Sequence, residues 1–167
     1  VGLQYTNQSN LSVLKFDSSG AKIWQVNYPM GNYFADKSII SKCFNSDLLI
    51  LTTLSSNGSV LTRIDTSGVI LNQQFIFDTL VSSPVTLKEF APFRYKFIRQ
   101  SNSSPFDALI SEMDSNFNIL NTYYTGSINS AAIIDSSQMY CCATEICCWK
   151  SDLFGDTIWK SSIIDPR

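Results

Sequence analysis

Four cysteines and four aspartates are the residues of this 167-residue chain whose types and spacing suggest chemistry. Cys141, Cys142, Cys147 and Cys148 form a C-C-x4-C-C cluster, and Cys43 stands far from it in sequence. Such a cluster has three readings: disulfides, reduced core cysteines, or thiolate ligands of a metal. Zinc thiolate sites use C-x2–4-C knuckles, and the chain has no histidine to help complete one. Asp17, Asp65, Asp114 and Asp152 recur 48, 49 and 38 residues apart, which raises the idea of a set of calcium-binding or catalytic carboxylates. Each stands alone before a small or apolar turn, without the oxygen-rich D-x-[DN]-x-[DN]-G loop that calcium uses. The local bonding habit of aspartate makes them turn caps instead.

Catalytic groups are scarce. The absence of histidine removes the commonest general base, metal ligand and neutral-pH switch together. No G-x-S-x-G elbow, phosphate-cradling glycine loop or H-E-x-x-H pair is present. Asp107, Glu112 and Asp114 fall in one strand-turn segment. A glycosidase needs carboxyls facing each other across a cleft, and nothing in the pattern arranges that. The expectation is no catalytic, cofactor-binding or metal-binding residue, and a protein that is not an enzyme.

The aspartates sit in a repeated phrase: SVLKFDSSGAKIWQ, SVLTRIDTSGVILNQ, ALISEMDSNFNILNT and CCWKSDLFGDTIWKS. Four positions before the aspartate stand Val13, Leu61, Ile110 and Cys148, all suited to burial. Two positions before it stand the charged Lys15, Arg63, Glu112 and Lys150. Six positions after it stand Ile23, Leu71, Leu120 and Ile158. Gly20, Gly68 and Gly155 follow three positions after the aspartate, where a hairpin needs positive φ. The third copy places Phe117 there, flanked by Asn116 and Asn118. Each phrase is therefore a hairpin, and the stretches between phrases add strands at 37–43, 48–54, 83–90, 94–100, 130–135 and 138–142. An Asn57-Gly58 turn is expected within 55–59. No window shows sustained helical periodicity.

The phrase resembles the β-propeller repeats of the pyrroloquinoline-quinone type and related extracellular propeller repeats, whose outer hairpin reads A-x-D-x-x-[ST]-G-x-x-x-W. Lys15, Asp17, Gly20 and Trp24 carry the likeness best, followed by Lys150, Asp152, Gly155 and Trp159. A recurrence at about 40–50 residues is itself the period of a propeller blade. The resemblance implies an all-β single domain over 1–167, with about four four-stranded antiparallel blades at 1–30, 36–79, 83–126 and 129–164. It is either a small ring or a segment of a larger propeller. It also implies that the tryptophan docks between neighbouring blades. Quinoprotein dehydrogenases of this type use a metal and a cofactor; none of their site residues is matched here, so the resemblance brings architecture and no activity.

The make-up is typical of extracellular β proteins, and with the cysteines and sequons below it leads to the expectation of an extracellular or cell-surface chain. It is 44% hydrophobic and only 16% charged, with a net charge of −2 and no basic cluster, so nucleic acid is not an expected partner. No apolar run is long enough to span a bilayer as a helix. The cysteine cluster is symmetric about its short loop, which predicts Cys141 opposite Cys148 and Cys142 opposite Cys147 in an antiparallel pair, with at least one disulfide involving residues 141–148 and bridges from Cys43 or between sequence neighbours open. The sequons at Asn7, Asn10, Asn57 and Asn102 fall in expected turns or near the amino terminus, where a glycan can attach. The expected role is a non-catalytic extracellular module for protein–protein interaction or structural assembly, with itself or with other chains. The alternative is a lectin-like propeller binding glycans through Tyr28, Tyr33, Tyr123 and Tyr124.

Overall fold

The computed structural model describes residues 2–6, 10–30, 35–54, 58–77, 81–101, 107–127, 130–133, 139–142, 147–152 and 157–162. They form antiparallel strands and no helix, in two compact units, Val1–Thr79 and Leu80–Arg167. Among the described residues no helix is long and apolar enough to cross a membrane.

The first unit holds two sheets. Sheet A is a three-stranded meander of β1 (Gly2–Thr6), β2 (Asn10–Phe16) and β3 (Lys22–Pro29). Sheet B runs β4 (Ala35–Lys42), β5 (Leu48–Leu54), β6 (Gly58–Ile64) and β7 (Ile70–Phe77). The central strands of sheet B read LLILTTL and GSVLTRI, and every residue after Leu48 in the first and all of the second is buried. Strands covered on both faces carry continuous rather than alternating hydrophobicity. The sheet-end strands β3 and β7 are mostly exposed or half-buried. Leu11, Val13, Tyr28 and Met30 of the sheet A segment pack with Ile50, Leu54, Val60 and Ile64 of sheet B in one core cluster. Gly58 opens β6, paired with Leu54 and Phe77, and the rest of the expected turn, Asn57 included, lies outside the described residues.

The second unit repeats the plan. Sheet C runs β8 (Val81–Ala91), β9 (Arg94–Ser101), β10 (Asp107–Met113) and β11 (Ile119–Ser127). Sheet D runs β12 (Ser130–Ile133), β13 (Met139–Cys142), β14 (Cys147–Ser151) and β15 (Thr157–Ser162). Pro84 sits in β8, a sheet-end strand, which is where a residue without an N–H is tolerated. Tyr95, Phe97, Ile98, Leu109, Ile110 and Met113 form the buried body of sheet C. The strand stretches expected at 37–43, 48–54, 83–90 and 94–100 coincide with β4, β5, β8 and β9 to within two residues at most ends.

Candidate functional site

The repeated turns come first, because they hold the aspartates. Asp17 Oδ1 accepts from Ser19 N at 2.9 Å, Ser19 Oγ at 2.6 Å and Ala21 N at 2.9 Å. Asp65 Oδ1 does the same with Ser67 N, Ser67 Oγ and Val69 N at 2.8, 2.7 and 2.9 Å. Asp114 Oδ1 takes Asn116 N and Asn118 N at 2.8 and 2.9 Å, and its Oδ2 takes Asn118 Nδ2 at 2.9 Å. These carboxylates are spent on their own turns, which is the capping role expected of them. The fourth copy keeps Asp152 at the end of β14, while Gly155 lies outside the described residues. Positive φ falls where the repeat demands it, at Gly20 (86°) and Gly68 (94°), and the third copy bends Phe117 itself to 66°.

Each capped carboxyl sits below its ordinary value of 3.8, with a side-chain donor as the largest cause: Ser19 for Asp17, Ser67 for Asp65 and Asn118 for Asp114. A lowered folded pKa contributes stability that is full above the unfolded value and lost as pH falls through the folded one. Urea midpoints are therefore expected to hold steady from neutral pH to about pH 5 and to fall below about pH 4. The triple variant Asp17→Asn, Asp65→Asn, Asp114→Asn keeps an acceptor in each turn and should flatten that acid limb. An unchanged limb would assign it to other carboxylates.

In the first unit, the turn after β6 is seated on β3. Trp24 Nε1 and Lys15 Nζ both donate to Thr66 O at 3.1 Å, and Tyr28 Oη donates to Gly68 O at 2.6 Å. Burial, aided by the Asp65 charge, pushes the Tyr28 phenol up to about 12. Trp24 of sheet A thus ties to the turn that follows β6 of sheet B. The junction leaves a cavity of about 220 Å³ lined by Lys15, Trp24, Lys42, Ser46, Leu48 and Thr66. A Cβ on Gly68 would meet Val26 Cγ2 at 2.9 Å, whereas one on Gly20 meets nothing within 4 Å. Both glycines share positive φ, so both alanine variants carry about 1 kcal/mol of backbone strain. Gly68→Ala is expected to lower the thermal midpoint clearly more than Gly20→Ala, because only it also forces the junction apart.

The apolar position six residues after each aspartate has a role that the repeat alone does not reveal. In every sheet the register jumps at that place. Lys15 pairs with Trp24 and Phe16 with Lys22, which skips Ile23. Arg63 and Ile64 pair with Asn72 and Ile70, skipping Leu71, and Glu112 and Met113 pair with Asn121 and Ile119, skipping Leu120. Lys150 and Ser151 pair with Trp159 and Thr157, skipping Ile158. These are β-bulges, whose extra residue is left out of the ladder. The bulged side chains are correspondingly exposed: Ile23 54%, Leu71 51%, Leu120 43% and Ile158 54%.

Of the charged residues two positions before the aspartate, Arg63 and Glu112 are buried, and Lys15 and Lys150 are half-buried. Arg63 donates through Nε to Asp47 Oδ2 at 2.9 Å, with NH2 at 2.7 Å from the same oxygen. Arg94 and Glu112 form a second pair, in which Arg94 is 45% exposed. Lys96 is buried with its ammonium 5.1 Å from the Phe90 ring centre; burial pushes it down while Glu112 and Asp152 pull it back up. Asp47, Arg94 and Lys96 carry no repeat signal. The signal that reveals the first pair is Arg63 itself, a charge inside the apolar strand SVLTRI, which needs a counter-charge.

The remaining candidates divide. Sheet D places Cys142 opposite Cys148 and Cys141 opposite Trp149. The expected pairs Cys141–Cys148 and Cys142–Cys147 are therefore corrected by one residue: loop symmetry does not set the register, and the strand ladder does. Cys43 is buried in the first unit at the turn after β4. Asn10 opens β2, and Ser12 of its sequon is fully buried, so that sequon lies in a strand rather than a turn. Asn7, Asn57 and Asn102 lie outside the described residues. Of the aromatics considered for glycans, Tyr28 is 2% exposed and committed to Gly68, and Tyr33 lies outside the described residues. Tyr123 is half-buried on β11.

Antiparallel meanders in series, three of them four-stranded and three closing on an aspartate-capped hairpin, define a β-propeller. Two solved structures of this class are similar to the chain. One is described as BBS1N in complex with ARL6DN, with a TM-score of 0.61 at 6% identity over 95% of this chain and 48% of that one. The other is BamB from Moraxella catarrhalis, with a TM-score of 0.55 at 14% identity over 96% of this chain and 46% of that one. The chain thus spans about half the length of the structures it matches. No protein-family model matches it, and no curated protein does.

Proposed function

We propose that this chain is a non-catalytic, extracellular β-propeller module for protein–protein interaction or structural assembly, and that the bulges on its sheet-end strands take part in the contact. The carrying observation is that all four sheets expose an aliphatic side chain at the same bulge position: Ile23, Leu71, Leu120 and Ile158. Full burial of such a side chain contributes about 1.5–3 kcal/mol, of which roughly half is still available at half exposure. All four together reach about 3–6 kcal/mol, only the lower part of the ~4–15 kcal/mol cost of association. A stable contact therefore also needs the backbone groups of a strand edge. The first structural neighbour was itself solved as a complex, BBS1N with ARL6DN, which supports a protein partner. The extracellular part of the proposal rests on the cysteine-rich hairpin and the sequons.

The test is sedimentation velocity of the whole chain over a wide concentration range, beside a variant with Ile23, Leu71, Leu120 and Ile158 all changed to lysine. Self-association that the variant abolishes, with its circular dichroism unchanged, is the expected result. A strictly monomeric wild type would remove self-assembly from the proposal.

A further inference from the structure

We propose that Cys142 and Cys148 form a disulfide that ties β13 to β14, and that this bridge selects the register of sheet D. The two residues are direct Cα partners in the antiparallel ladder. Directly opposed antiparallel positions lie about 4.5 or 5.5 Å apart at Cα, depending on the type of pair. Both values fall inside the ~4.4–6.8 Å window of disulfides. The other cross-strand combinations within the hairpin fail on placement alone. Cys141 is the partner of Trp149, and Cys147 is the partner of Ser162 on β15. Cys141 and Cys147 are therefore diagonal positions, about 7–8 Å apart, beyond that window. Cys141–Cys148 and Cys142–Cys147 join positions one step out of register, which belong to opposite faces of the sheet.

Register is where the bridge matters. β13 has four residues and β14 five, so the ladder between them is short. A slip of one residue moves every side chain to the other face. It would also place Cys141 opposite Cys148 and Cys142 opposite Cys147, the arrangement that loop symmetry favours. The sequence therefore offers two registers, each able to be locked by cysteines, and the observed one permits a single directly opposed pair. The bridge forms by thiol–disulfide exchange with a small disulfide such as oxidised glutathione. One cysteine thiolate attacks glutathione disulfide and expels a glutathione thiolate. The second thiolate then attacks the protein sulfur of the mixed disulfide and expels another. Two protein thiols lose two electrons and two protons, and one glutathione disulfide becomes two thiols. This inference does not depend on the assembly reading.

Peptide mapping of the whole chain tests it. After equilibration in a glutathione buffer at the poise of the secretory pathway, thiols are alkylated without reduction. The chain is then cut after Glu145 and Lys150, which separates the two cysteine pairs. Tandem mass spectrometry is expected to find Cys142 linked to Cys148, with three alkylated cysteines before reduction and all five after it. Cys141→Ser with Cys147→Ser should keep the bridge, and Cys142→Ser should remove it. A bridge through Cys141 or Cys147, or five alkylated thiols without reduction, overturns the proposal. The wild-type map alone decides the matter if a variant does not fold.

Discussion

Asp47→Ala is expected to destabilise the protein by about 3–5 kcal/mol, read as a lower urea midpoint at neutral pH. Asp47 Oδ2 accepts from Arg63 Nε and NH2 and from Asn45 Nδ2 at 2.7 Å, and both charged side chains are about one-tenth exposed. Removing the carboxylate leaves a guanidinium in a fully buried strand without its counter-charge, and the desolvation already incurred is no longer offset. The pair as a whole is worth far less than that loss, because burying two ions costs several kcal/mol each. The double variant Asp47→Leu, Arg63→Met is accordingly expected to recover most of the stability. If the double is as unstable as the single, the pair contributes attraction beyond its desolvation cost. The Arg94–Glu112 pair is the internal control. Arg94 is 45% exposed but Glu112 only 10%, so solvent screens one end of the pair alone, and Arg94→Ala should cost clearly less than Asp47→Ala.

Phe117 carries the second large effect, and its sign structure is unusual. The residue is 2% exposed, meets Tyr95 edge-on with ring centres 5.4 Å apart, and holds a φ of 66°. Phe117→Ala is expected to cost about 3–5 kcal/mol in lost burial and cavity. It leaves the backbone strain of a left-handed residue, about 1–2 kcal/mol, in place. Phe117→Gly loses the same contacts but releases that strain, so it should be the milder variant by about 1 kcal/mol. Calorimetric melting of the two variants measures the order. A glycine variant less stable than the alanine one would mean that the turn stores no strain at this residue.

Phe117 also shows why legibility differs between levels. Gly20 and Gly68 announce their turns, because glycine is the ordinary residue at positive φ. Phe117, Ser46 and Phe93 adopt positive φ with no such mark, and of these only Phe117 is placed by the period of the aspartates, together with its flanking strands. At Phe117 the repeat predicts the turn and tertiary burial explains the residue. At Ser46 neither signal exists, so the turn from Cys43 to Asp47, and with it the partner of Arg63, is invisible before the chain folds. The cysteine hairpin fails differently. Its residues were identifiable, but its register is a property of ladder pairing, and loop symmetry pointed one residue away.

The building unit, an aspartate-capped hairpin repeated between apolar strands, is written in the chain itself. That information is local, carried by hydrogen-bonding groups and turn residues within a few positions of each other. Which side of each strand goes to packing is settled by long-range pairing in the folded sheets. Lys15, Arg63 and Glu112 look like a solvated face and are held by Thr66, Asp47 and Arg94. Ile23, Leu71, Leu120 and Ile158 look like core and are turned outward by bulges. A bulge shifts the two-residue alternation of a strand by one, so the pattern that reads as burial in the chain reads as exposure in the sheet.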